Sequence, residues 1–187
     1  MRTFRLAPMS RGILILTLVL LALPVVFFGK AVIGDTRVAF PGLLLVAIYA
    51  WVWLRFRPTR FVVRRGVVEV IWPLKRREIR REDISNVRII DRQQLRREVG
   101  LGMRVGAGGL WGGFGWLWTQ RRGIVQMYIS RTDGFVWIDR VGDRPWLITP
   151  EQPEAFVRAL SISDSNAVKP VNAPGRFAAT SPPQTGR

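Results

Sequence analysis

A chain of 187 residues with no cysteine and no histidine cannot build disulfides, thiolate or imidazole metal sites, a cysteine nucleophile or an imidazole base. Its 29 Lys and Arg against 13 Asp and Glu give a formal charge of +16, which attracts anionic partners, nucleic acid and anionic lipid being the usual two. Lys30, Lys75 and Lys169 are the only lysines, so arginine-rich codon usage accounts for part of the excess.

Residues 1–12 form a short basic lead. Ile13 to Phe28 and Val38 to Leu54 are then uncharged and almost wholly apolar, each close to the roughly 17–25 residues that cross a bilayer as a helix. The first extends to Ile33 if Lys30 snorkels, which sets the two spans at 13–33 and 38–54. Pro24 and Pro41 are compatible with such helices, and Tyr49, Trp51 and Trp53 read as an interfacial aromatic belt. Arg2, Arg5 and Arg11 precede the hairpin and Arg55, Arg57 and Arg60 follow it, whereas the connection holds only Lys30, Asp35 and Arg37. The positive-inside rule therefore puts both flanks in the cytoplasm. Residues 1–31 as a cleaved signal peptide are the rival reading, opposed by the lack of a small-x-small site. On either reading the chain after Leu54 faces the cytoplasm.

After Pro58 the pattern turns to period two. Phe61–Arg65 and Val67–Trp72 flank Gly66 as a hairpin, and Lys75–Arg81 and Ile84–Ile90 are further strand candidates, with Ile84, Val87 and Ile89 directed to a core. Ile124–Ser130 and Phe135–Val141 flank the turn signal Thr132-Asp133-Gly134, and Trp146–Ile148 is a last short strand. Thr149-Pro150-Glu151-Gln152 predicts a helix start with Thr149 as N-cap and Gln152 closing a capping box, the helix running to about Leu160. Residues 161–187 lack periodic apolar positions and read as a disordered tail. The element order predicts a domain over 58–160, a small antiparallel barrel or sandwich closed by one helix.

The run from Gly100 to Trp118 carries eight glycines in 19 residues. It matches neither Gly-x4-Gly-Lys-Ser/Thr nor Gly-x-Gly-x-x-Gly, so phosphate-loop readings fail on spacing. Its Gly-x3-Gly pairs imitate a transmembrane packing motif, but Arg104 and the glycine density argue against a third span. The expectation is a loop or irregular strand over Leu110–Trp118. Trp111, Phe114, Trp116 and Trp118 then either fill the barrel mouth or face a bilayer or partner.

Four pieces resemble the bacterial pleckstrin-homology-like domains, in particular members with a membrane hairpin. They are the hairpin 61–72, the segment Ile79–Ile84, the glycine–aromatic run 108–116, and Leu147-Ile-Thr-Pro-Glu-Gln-Pro-Glu-Ala-Phe156. The resemblance covers residues 60–160. It implies a mainly-β pleckstrin-like barrel capped by a C-terminal helix; with the two-helix transmembrane hairpin read above, the expectation is a multi-pass protein of the bacterial cell membrane with both termini cytoplasmic. It implies a binding or scaffold role and no particular ligand, because fold and function separate easily.

No motif supports catalysis, and no cofactor or metal is expected. Serine lacks a Gly-x-Ser-x-Gly or Ser-x-x-Lys context. Glu82-Asp83 fits a turn, and Glu151 and Glu154 fit a helix start. Five cations stand in the seven residues Lys75-Arg76-Arg77-Glu78-Ile79-Arg80-Arg81, and each basic group near an anionic surface contributes on the order of 1 kcal/mol. Arg64 and Arg65 extend that candidate patch. The competing account is a charged edge strand that resists aggregation. The expected role is a membrane-anchored, non-catalytic module binding anionic phospholipid headgroups or a membrane protein partner. The alternatives are a subunit of a membrane complex, or a homo-oligomer, docked through the Gly/Trp run, and, least favoured, nucleic-acid binding.

Overall fold

A computed structural model describes residues 1–165, with side chains as far as Ser161. The chain opens with a strand, β1 (Arg2–Arg5), ahead of two helices, α1 (Arg11–Val32) and α2 (Ala39–Arg55), joined by a 3-10 turn at Thr36–Val38. Both helices are long and apolar enough to cross a membrane by length and composition, with mean hydropathy 2.7 and 1.7, and 11% of each apolar window is buried. The Tyr49 hydroxyl donates to the Leu20 carbonyl at 2.8 Å, tying α2 to α1.

Two sheets and a helix follow. Strands β2 (Arg60–Arg64), β3 (Val67–Ile71) and β4 (Arg76–Arg80) run as a meander, and β1 pairs antiparallel to β2, giving the order β1-β2-β3-β4. Strand β5 (Ile84–Ile90), helix α3 (Arg92–Val99), and strands β6 (Gly102–Gly108), β7 (Gly113–Thr119), β8 (Gly123–Ile129), β9 (Phe135–Arg140) and β10 (Trp146–Ile148) complete the domain, ending in α4 (Pro153–Ser165). The second sheet has the order β5-β9-β10-β8-β7-β6. Strand β10 lies between β8 and β9, parallel to the former and antiparallel to the latter. The turn at Thr132-Asp133-Gly134 therefore joins strands that are not direct neighbours, unlike the simple hairpin expected.

The mainly-β domain capped by a C-terminal helix is thus a sandwich of two sheets. Its core lies between them: Phe61, Val63, Val68, Val70 and Ile79 from the first sheet face Phe114, Tyr128, Val136, Ile138, Trp146 and Ile148 from the second. Phe156 and Leu160 of α4 close one end of this core. A second cluster, including Leu117, Val125, Met127, Trp137 and Leu147, fills the other face of the larger sheet, with Leu95 and Val99 of α3 laid over it. Helix α3 begins on a full capping box, Asp91 Oδ1 accepting from the Gln94 N–H at 2.7 Å and Gln94 Oε1 from the Asp91 N–H at 3.0 Å.

Three sequence expectations are corrected. Helix α4 starts at Pro153 rather than after Thr149. Proline at the first helical position disfavours helical geometry in the residue before it, so Glu151 and Gln152 form a bend outside the helix. Thr149 instead ends β10, its hydroxyl accepting from the Ser130 N–H at 2.9 Å. Ile89 is not in the core but 39% exposed on the edge strand β5, while its neighbour Ile90, on the opposite face, is buried in the second cluster. The glycine run is a regular hairpin, β6 and β7 paired from Gly102–Thr119 to Gly108–Gly113, and no third helix forms there. The tail expected over 161–187 enters α4 as far as Ser165 and from 166 onward lies outside the described residues.

Candidate anion-binding site

One rung crosses the whole smaller sheet at the end where the chain meets α1 and α2: Arg5 opposite Arg60, Arg60 opposite Ile71, Ile71 opposite Arg76. Directly opposed residues share a face, and neighbours in a strand alternate. Phe4, Phe61, Val70 and Ile79 are in the core, so the three arginines of this rung stand together on the outer face. Like charges placed opposite one another destabilise a sheet. Among the described residues, no acidic side chain pairs with Arg5, Arg60 or Arg76. The three form one wall of a concavity of about 830 Å³ whose lining also includes Thr3, Thr59, Trp72, Pro73, Leu74 and Lys75, and contains no carboxylate.

The turn Trp72-Pro73-Leu74-Lys75 shapes the rim, closed by the Trp72 N–H donating to the Lys75 carbonyl at 2.9 Å. Trp72 is buried and holds this end of the sheet to the helices, its indole N–H donating to the Phe56 carbonyl at 3.0 Å. The Lys75 ammonium sits 4.6 Å from the centre of that ring. Burial, then the charges of Arg55 and Arg77, lower its pKa from the ordinary lysine value. Three cations thus converge where α2 ends. Leu74, 66% exposed, projects from the rim beside them.

The basic run expected to act as one patch is divided by the strand's alternation. Lys75 and Arg76 enter the concavity. Arg77 points inward, donating to Gln126 Oε1 at 2.7 Å and covering the Trp146 ring at 5.4 Å. Arg80 and Arg64 stand on the rung at the far end, Arg64 paired with Glu69 at 3.0 Å and Arg80 with Glu82 at 3.3 Å. Arg65 is exposed in the β2–β3 turn, and Arg81 is half-buried in a 3-10 turn after β4. Arg5, Arg60, Thr3 and Thr59 are the members that sequence reasoning missed. Arg60 followed the hairpin visibly, but nothing in the sequence brings Arg5 beside it.

The four aromatic candidates also separate. Phe114 is buried in the inter-sheet core. Trp111 is partly buried against the edge of that core and also packs edge-on against Trp53 of α2, ring centres 4.8 Å apart. Trp116 and Trp118 are 40% and 57% exposed, opposite Val105 and Met103, which are themselves exposed.

Arg77 bears on a measurable titration. Burial pushes the Tyr128 phenol up to about 12, against the opposing pull of the Arg77 guanidinium. Its folded value exceeds the unfolded value of 10, so its contribution is complete below pH 10 and is lost as pH rises from 10 to 12. Denaturant unfolding is expected to show a loss on the order of 2–3 kcal/mol across that window. Tyr128→Phe should flatten it; an equally steep decline in Y128F would place the titration elsewhere.

A family model described as Bacterial PH domain matches residues 59–163. That span takes in every strand from β2 onward together with α4. No curated protein and no solved structure gives a match.

Proposed function

We propose that this chain, which belongs to the bacterial PH domain family, is a membrane-anchored, non-catalytic binding module that receives an anionic phospholipid headgroup in the Arg5–Arg60–Arg76 concavity. Helices α1 and α2 are its anchor, crossing the bacterial cell membrane as a hairpin. Strand β1 precedes α1 and pairs with β2, which follows α2, so the two outer ends of the anchor belong to one body on one side. Arginine placement assigns that side to the cytoplasm.

The observation that carries the reading is the unpaired rung of three arginines beside the exit of α2. A phosphate there relieves their mutual repulsion and takes charge-assisted hydrogen bonds from forked guanidinium donors. The Thr3 hydroxyl adds a neutral donor, that of Thr59 being already given to the Ile71 carbonyl at 2.9 Å, and exposed Leu74 suits the boundary between headgroups and acyl chains. Because the anchor already holds the protein at the surface, headgroup binding orients the domain rather than recruiting it.

The test is native mass spectrometry of the delipidated full chain with added phosphatidylglycerol or phosphatidylcholine. The parent chain is expected to retain phosphatidylglycerol preferentially. The double variant Arg60→Glu with Arg76→Glu should bind it on the order of 30-fold more weakly, from roughly 1 kcal/mol per basic group. Equal retention of both lipids by the parent overturns the reading.

A second reading, docking of a membrane protein partner or a second copy, is favoured by the exposed apolar face of Met103, Val105, Trp116 and Trp118. Crosslinking from Gln120 in native membranes tests it, and recovery of uncrosslinked chain alone would reject it.

A further inference from the structure

The tip of the β6–β7 hairpin is fastened to the middle of a helix far away in sequence. Thr17 Oγ1 lies 2.8 Å from the Ile13 carbonyl oxygen and 3.1 Å from that of Gly109, sharing its proton between them, and accepts from the Trp111 N–H at 3.0 Å. A Cβ on Gly109 would lie 3.1 Å from Leu16 and 3.5 Å from Leu20, so the backbone of the turn rests directly on α1. Trp111, held at φ 58°, is the one non-glycine residue with positive φ among those described, a conformation that persists only where surroundings enforce it. Its ring forms a wall of an apolar cleft of about 510 Å³ with Leu21, Pro24, Tyr49, Trp53 and Leu54 of the two helices.

The geometry points to insertion of the Gly108–Gly112 tip into the apolar layer of the bilayer alongside α1 and α2. This rests on the reading of those helices as membrane spans. Thr17 is six residues past Arg11, so with Arg11 among the headgroups the contact lies about 9 Å along the helix axis, within a hydrocarbon layer about 30 Å thick. No side chain from Val105 to Gln120 is charged; the nearest ion, the Arg104 guanidinium, reaches to 3.5 Å from where a Cβ on Gly113 would stand, on a long stem that can snorkel to the headgroups. Non-helical backbone is tolerated in the apolar layer only if its polar groups are satisfied internally. The Gly109 N–H donates to the Gly112 carbonyl at 3.0 Å, and Thr17 serves Gly109 and Trp111. The threonine thus satisfies these groups without water, as the apolar layer demands.

The absence of native cysteine permits a direct test on the full chain reconstituted in phosphatidylcholine vesicles. An environment-sensitive fluorophore is attached in turn to Gly108→Cys, Val25→Cys and Gln120→Cys, with and without lipids carrying an acyl-chain nitroxide. Gly108 is exposed on the protein surface, and an added Cβ there meets nothing within 4 Å, so G108C preserves the fold. Val25 is 70% exposed on α1, and Gln120 is exposed at the opposite end of β7. The expected result is a blue shift and nitroxide-dependent loss of emission at positions 25 and 108 alike, and little at 120. Quenching at 25 without quenching at 108 overturns the inference while the span reading stands. A blue shift at 108 without quenching places the tip against protein and also overturns it. No quenching at 25 removes the span reading and the inference with it.

Discussion

Phe156→Ala is expected to destabilise the domain by about 4 kcal/mol. The ring is fully buried and meets Phe4 edge-to-face at 5.3 Å and Phe61 at 6.2 Å. It is therefore the one α4 side chain that touches both β1 and β2 through aromatic contacts. Truncation loses the burial of the ring, leaves a cavity that β-sheet neighbours cannot collapse to fill, and removes two favourable ring geometries. For a chain of this size the melting temperature should fall on the order of 10 °C. The measurement is thermal unfolding of the full chain in detergent, followed by near-ultraviolet circular dichroism. Val157→Ala, at a half-buried position on the same turn, should cost no more than about 1 kcal/mol. Comparable losses for the two variants would show that α4 is not anchored through Phe156.

Gly115→Ala should cost about 3 kcal/mol or more and disrupt the β6–β7 pairing. Gly115 has φ 128° and stands opposite Gly106, itself at φ 135°. A Cβ on Gly115 would lie 2.5 Å from the Val105 carbonyl oxygen and 3.0 Å from the Gly106 Cα. Both neighbours are backbone, so no side-chain rotation relieves the clash, and the two strands would have to separate. The same substitution at Gly108, where a Cβ meets nothing, should be close to neutral. Hydrogen exchange of the β7 amides reads the difference locally. Protected β7 amides in G115A would refute the prediction.

The legible parts of this fold were those encoded by local periodicity. The two apolar helices, the Gly66 hairpin, β5, β8, β9 and β10 follow from runs whose neighbours in sequence decide their conformation. What stayed hidden depends on distant partners. Arg2–Arg5 has one apolar residue and becomes a strand only because β2 offers its edge. Strand β10 reads as the last of a meander, yet its place between β8 and β9 is a matter of register. Helix α3 left a local signature in Asp91, Gln94 and Gly100, but eight residues with only Leu95 and Val99 packed on the sheet gave a weak apolar stripe. In the Gly/Trp run both faces are apolar, so alternation vanished just where a strand exists.

The candidate site was half legible for the same reason. A dense basic run is visible in any sequence, but a strand sends its members to opposite faces. Arg77 thus joins Trp146 inside while Arg76 stays outside. The arginines that complete the rung come from segments on either side of the two helices, and only the register of β1 against β2 unites them.

That pairing has a consequence for how the protein is made. Strand β1 leaves the ribosome first, yet its partner follows only after both apolar helices have been synthesised. On the hairpin topology proposed above, the N-terminal residues wait, unpaired, on the side of the membrane where translation continues. On that topology, carrying them across the membrane would leave them opposite the sheet they complete. The edge of β2 would then be bare, and Phe156 would lose one of its two aromatic neighbours. On the proposed topology, insertion of α1 and α2 and completion of the smaller sheet are a single event.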